Sequence, residues 1–224
     1  MIPALLIWLY KKYASRILKT KYLTRFRRAS SAAALLLIPV LAAASPSSAQ
    51  DLRLSYQVIH KGSVIGQMQF HRKVSGTNTY FNLKSDIKTR FVMPINIVTT
   101  DQAHFSKGRL QLSAVCRTVN GQEKESKKTV FRNNTYELSN GSKLRQLETE
   151  IGYTMMMLYC REPAQLGQVY SDNYQQFLPI KRLAAHTYRV NLPGGNYNDY
   201  QFEGGTCTKV TVHHDWYTIT MELI

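Results

Sequence analysis

Residues 52–71 read LRLSYQVIHKGSVIGQMQFH. Leu52, Leu54, Tyr56 and Val58 alternate with Arg53, Ser55, Gln57 and Ile59. His60-Lys61-Gly62-Ser63 reads as a turn. Val64, Gly66, Met68 and Phe70 then alternate with Gln67, Gln69 and His71. A period of two belongs to a strand, whose successive side chains point to opposite faces. Two such runs around a Gly-containing turn predict an antiparallel hairpin.

The same pattern runs outward through the chain. Phe81, Leu83 and Ile87 oppose Asn82, Lys84, Asp86 and Lys88. Strands are predicted at 96–105, 110–119, 123–132, 134–138 and 143–149, and again at 173–182, 185–192, 197–202, 206–213 and 217–223. Asn120-Gly121 and Asn140-Gly141 sit between alternating runs. Asn-Gly is the strongest short hairpin signal, because a type I′ turn needs positive φ at both central residues. Roughly ten to twelve short strands at this spacing predict an all-β, mainly antiparallel fold, a closed or half-open β-barrel. The 175 residues from Gln50 onward are enough to bury roughly 70% of the unfolded surface in one core. Residues 50–224 are therefore expected to form a single domain.

One stretch breaks the alternation. Residues 151–160, IGYTMMMLYC, are apolar nearly all round, and Pro163 would stop a helix there. A short helix is expected at 151–160, packed as a core plug. Alternatively it forms the adaptable Met-rich wall of an apolar pocket, with Met155, Met156, Leu158 and Tyr159 as ligand contacts. Arg161 at the rim would then face an anionic headgroup, or simply cap the helix C-terminus.

The 224 residues carry 29 Lys+Arg and 14 Asp+Glu, a formal charge of +15. No acid precedes Asp51, and residues 1–50 hold eight of the basic residues, leaving +7 for the rest. A basic stretch ending at Arg27-Arg28, the apolar run 32–44 and the small residues Ser47 and Ala49 occur in the order of a cleaved export signal over 1–49. Thirteen apolar residues fall short of the ~20 that span a bilayer. Ala29-Ser30-Ser31 after the arginine pair lacks the apolar pair usual for twin-arginine export, which favours the general secretory route. The remaining charge is dispersed. The densest cluster, Lys124-Glu125-Ser126-Lys127-Lys128, is interrupted by acid, so a nucleic-acid partner is not expected.

Reactive chemistry is sparse. His213-His214-Asp215 is the one tight histidine cluster, and adjacent strand residues face opposite ways, so the two rings cannot share a metal. His60, His71, His104 and His186 are scattered. Cys116, Cys160 and Cys207 include no CxxC, and a Cys160–Cys207 disulfide is geometrically conceivable in an oxidising compartment. No GxSxG or phosphate-cradling loop is present. Tyr197, Tyr200 and Phe202 could stack on a sugar, but tyrosine is also simply a favoured strand residue.

Three segments carry a resemblance: 157–163 (MLYCREP), 192–200 (LPGGNYNDY) and 205–212 (GTCTKVTV), with 61–66 (KGSVIG) as an opening hairpin. They resemble an uncharacterised family of secreted bacterial β-sheet proteins, a domain of unknown function from Gram-negative envelopes. More distantly, the architecture is similar to periplasmic lipid-handling half-barrels. The resemblance implies an exported β protein and no particular activity. The expectation is a periplasmic or extracellular non-enzyme, without cofactor or metal, that binds an apolar or amphipathic ligand such as a lipid. The alternatives are a structural or partner-binding module with a filled core, and a hydrolase that gathers His186, His213 or Cys207 into one cleft.

Overall fold

The structure is a computed structural model that describes residues 51–90 and 94–224. The export signal expected over 1–49 lies outside the described residues. Fourteen strands follow one another: β1 (Asp51–His60), β2 (Ser63–Ser75), β3 (Asn78–Arg90), β4 (Pro94–Ser106), β5 (Arg109–Val119), β6 (Gln122–Arg132), β7 (Thr135–Asn140), β8 (Lys143–Leu147), β9 (Gln168–Ser171), β10 (Gln176–Ala184), β11 (Thr187–Asn191), β12 (Tyr197–Glu203), β13 (Thr206–His214) and β14 (Tyr217–Leu223). They form one antiparallel sheet in the order β8-β7-β6-β5-β4-β3-β2-β1-β14-β13-β12-β11-β10-β9. It is a meander in which each strand pairs with its sequence neighbours, the first and last strands are joined, and the break falls between β8 and β9.

Fourteen strands replace the ten to twelve expected. Two-residue hairpin tips form where the sequence places turns. Lys61-Gly62 and Asn120-Gly121 both take positive φ, as a type I′ turn requires. One addition is β9, Gln168–Ser171, where no strand was expected; the run expected at 173–182 is β10, which starts three residues later. Gln175 takes φ 51°, and its N–H donates to the Ser171 carbonyl over 2.7 Å. That turn separates a short strand, β9, from β10.

One face of the sheet curls around a core of Tyr56, Phe70, Phe81, Phe105, Leu110, Tyr188 and Val210. Residues 148–167 connect the two ends of the sheet, and the part at 151–160 passes through this interior. The segment is tied to β5 by the Leu110 N–H donating to the Ile151 carbonyl, and to β9 by the Tyr170 N–H donating to the Tyr153 carbonyl. The helix expected at 151–160 is a single 3-10 turn, Met155–Tyr159, whose Met156, Leu158 and Tyr159 are buried. Gly152 and Thr154, with Thr154 in extended conformation before the turn, keep it from lengthening. The Tyr159 ring packs against Tyr56 and Phe70 at centroid distances of 5.6 and 5.5 Å. Residues expected to plug the barrel therefore do so from a chain that crosses it.

Candidate functional site

Of the pocket-wall residues named from sequence, four pack in or against the core and Arg161 does not. Met156, Leu158 and Tyr159 are core, Met155 is half-buried against it, and Arg161 is exposed with its guanidinium 5.7 Å from the Tyr153 ring. The disulfide considered for Cys160 and Cys207 is not formed; all three cysteines are free. The Cys160 thiol turns to the Met157 carbonyl and the Cys207 thiol to the Lys209 carbonyl. Burial pushes the Cys207 thiol up to about 12, so it stays protonated.

The histidines are not gathered either. His213 stacks on Tyr197 at 4.3 Å, and adjacent His214 stacks on Tyr217 at 4.7 Å, on opposite faces of β13 as the strand period requires. His186 binds Glu162, which also accepts from the Tyr188 hydroxyl over 2.7 Å. Cys207 and His213 stand at opposite ends of β13, six positions or roughly 20 Å apart. No group of three or more His, Cys, Asp and Glu among the described residues is placed to hold a metal ion.

What the sheet does assemble is a graded interior on β4, β5 and β6. Cross-strand partners share a face, and the register stacks three rows: Ala103–Ser113–Thr129, Asp101–Val115–Lys127 and Thr99–Arg117–Glu125. The first row is buried, and two of the three residues in the last, Arg117 and Glu125, are charged. Glu125 accepts from Arg117 over 3.1 Å and from Lys127 over 2.5 Å.

Into this polar wall projects the 172–175 turn from the other end of the sheet. Gln175 is buried, and its Nε2 donates to the Lys128 carbonyl on β6 over 3.0 Å and to the Ser139 carbonyl on β7 over 3.1 Å. Arg145 of β8 donates to the Gln175 carbonyl over 3.2 Å, and Lys127 donates to the Asn173 carbonyl. Tyr170 of β9 shares a hydrogen bond with Thr129 at 3.0 Å. Side chains and one turn thus span the break that no backbone ladder closes.

Two carboxyls sit at this junction. Burial, then the nearby Asp172, pushes Asp101 up to about 7 against the pull of Arg117. Burial pushes Asp172 up to about 6, against a hydrogen bond from Ser113. One oxygen of each, Oδ1, is buried without a hydrogen-bond partner. Perturbed carboxyls in a polar interior mark a functional-site candidate. Sequence reading passed over both, since an Asp on an alternating strand and another before Asn-Tyr look like ordinary surface residues. Only the register and the turn bring them together.

Beside the same turn lies a cleft of about 360 Å³, lined by Lys127, Leu138, Asn140, Lys143, Leu144, Arg145, Tyr174 and Gln175. Lys143 pairs with Asn140 and Arg145 with Leu138 across β7 and β8, so both cations lie on the face of that Leu. Three cations and no carboxylate line the cleft, together with two Leu and a Tyr.

A family model for a domain of unknown function, DUF6134, matches residues 56–224. The chain belongs to the DUF6134 family. The match begins within β1 and takes in every later strand, so the family domain is this sheet and its crossing segment. Among solved structures, the DUF6134 chain is similar to the crystal structure of a beta-barrel-like protein of DUF1849 from Brucella abortus. The TM-score is 0.52 at 8% identity, covering 79% of this chain and 96% of that one. At that identity the likeness is one of fold. No curated protein matches the sequence. Among the described residues, no helix is long and apolar enough to cross a membrane.

Proposed function

We propose that this DUF6134 chain is an exported, non-enzymatic binding protein of the cell envelope, and that the cleft between β6–β8 and the 172–175 turn takes an amphipathic ligand with an anionic head. The cleft's composition carries the reading. A volume of about 360 Å³ falls within the usual range of small-molecule sites, roughly 300–1,000 Å³. Lys143 and Arg145 supply positive charge without a carboxylate in the lining, and Leu138, Leu144 and Tyr174 supply apolar contact. Lys127 is engaged by Glu125 and Arg145 by the Gln175 carbonyl, which leaves Lys143 to meet the head. The exported location rests on the order of charge, apolar run and small residues in 1–49.

Calorimetric titration of the full chain with laurate, dodecanol and dodecyltrimethylammonium tests the proposal. Laurate is expected to bind saturably, and the other two at least tenfold more weakly. Lys143→Ala is expected to weaken laurate about tenfold, which is about 1.4 kcal/mol. Equal binding of laurate and dodecanol, or no saturable binding of laurate, would overturn it.

A further inference from the structure

We propose that residues 172–175 are a clasp holding the two ends of the sheet together, and that ionisation of the Asp101–Asp172 pair releases it. The geometry comes first. The sheet is continuous from β8 round to β9 in the order of its strands, and β8 and β9 do not pair. The 172–175 turn is held across that gap by the two Gln175 side-chain bonds to β6 and β7, the Arg145 bond from β8 and the Lys127 bond from β6. Of these four bonds, three end on or start from Gln175. A turn attached mainly through one residue can leave as a unit without unzipping a ladder.

Asp172 sits at the base of this turn and is buried, with Oδ1 unpartnered. Asp101 lies on β4 in the Val115–Lys127 row, next to the row of Ser113, which hydrogen-bonds Asp172, and its own Oδ1 is unpartnered. Two carboxylates near one another in a buried junction repel strongly, whereas a protonated pair does not. The surroundings do not cancel that repulsion. On β5, Arg117 faces Asp101 but is bound to Glu125, and Ser113 offers Asp172 a neutral hydroxyl. On β6, Glu125 adds negative charge and Lys127 is shared between Glu125 and the clasp. On β8, Arg145 is spent on the Gln175 carbonyl.

The remaining titratable neighbours keep their protons at neutral pH. Burial raises the phenols of Tyr159, Tyr170, Tyr174 and Tyr217, and the thiol of Cys116 on β5 is raised too. The pair itself, pushed up to about 7 and about 6, changes charge across the neutral range. Acid therefore keeps the clasp docked and mild alkali loosens it.

Amide hydrogen exchange on the full chain at pH 5 and pH 8, expressed as protection factors corrected for intrinsic exchange, tests this. The Gln175 N–H, which donates to the Ser171 carbonyl, is expected to lose at least tenfold in protection at pH 8. The Val58 N–H in the middle of β1, which is freed only by global unfolding, is expected to lose less protection than Gln175. Asp101→Asn should abolish the loss at Gln175. Equal protection at the two pH values, an equal fall at Val58, or an undiminished fall in Asp101→Asn would overturn the proposal. If Asp101→Asn does not fold, Asp172→Asn carries the same expectation and the same refutation.

Discussion

Gly66 is the glycine whose neighbouring backbone leaves least room for a side chain. It lies on β2, paired with Val58 of β1 and Ile87 of β3. A Cβ there would stand 2.2 Å from the Asp86 carbonyl oxygen and 2.8 Å from the Ile87 Cα. Both are main-chain atoms of a strand held on its other side by β4, so neither can give cheaply. Gly66→Ala is therefore expected to cost about 3 kcal/mol, as overpacking does, read as a lower urea midpoint with an unchanged m-value. Gly167→Ala is the control, since nothing lies within 4 Å of its Cβ position and its φ is not left-handed. That change is expected to stay within about 0.5 kcal/mol. The sequence placed Gly66 on the inward side of an alternating strand, and a lone Gly in a strand signals close backbone approach. Which backbone approaches depends on the pairing of β2 with β3, a fact of register and not of local pattern.

Elements show where the alternation was sufficient and where it was not. Strand β14 follows the predicted bounds, and β5 and β12 differ from theirs by one residue, because hydrophobic period and turn chemistry agree there. The crossing segment 148–167 obeys neither period. Its apolar residues are set by what surrounds a chain passing through a barrel, so composition announced burial but not conformation. Leu158 and Arg161 separate the two readings of this segment. Leu158 is wholly buried in the core and Arg161 is exposed. Leu158→Ala is expected to lose about 2–5 kcal/mol and Arg161→Ala less than about 0.5 kcal/mol, both by thermal or urea unfolding. A mild Leu158→Ala would mean that the 3-10 turn lines a space the interior does not need to fill. The β9–β10 turn escaped prediction for another reason. Asn173 and Tyr174 carry on an apparent alternation toward Phe177, and what bends the chain is the left-handed Gln175, whose amide finds partners on β6 and β7. Those partners lie 47 and 36 residues away, beyond the reach of any window.

At the scale of the whole molecule, the barrel was legible as a class, since a train of hairpins can only curl. The seam was not, because it depends on where the meander starts and ends relative to itself. Its carboxyls leave a global signature as well as a local one. Asp101 and Asp172 titrate near 7 and 6 in the folded chain against 3.8 for a free carboxyl. Below about pH 4 both states hold the protons, and the pair does not alter stability. Between about pH 4 and pH 7 the unfolded chain has released protons that the folded chain still keeps. Stability falls as pH rises wherever the folded state binds more protons. Above about pH 7 the full cost is present, of the order of a few kcal/mol for the pair. Asp51, lowered chiefly by its hydrogen bond with His71, and Glu162, lowered chiefly by Tyr188, act in the opposite direction. Both shifts are downward, so their effect is confined to acid below about pH 4. The urea midpoint of the full chain is therefore expected to decline steadily from pH 5 to pH 7 and then level. In Asp101→Asn the decline should shrink and shift toward lower pH, where Asp172 alone titrates. A midpoint that is flat or rising between pH 5 and pH 7 would mean that the two carboxyls reach water in the folded state, and the seam would then be open rather than clasped.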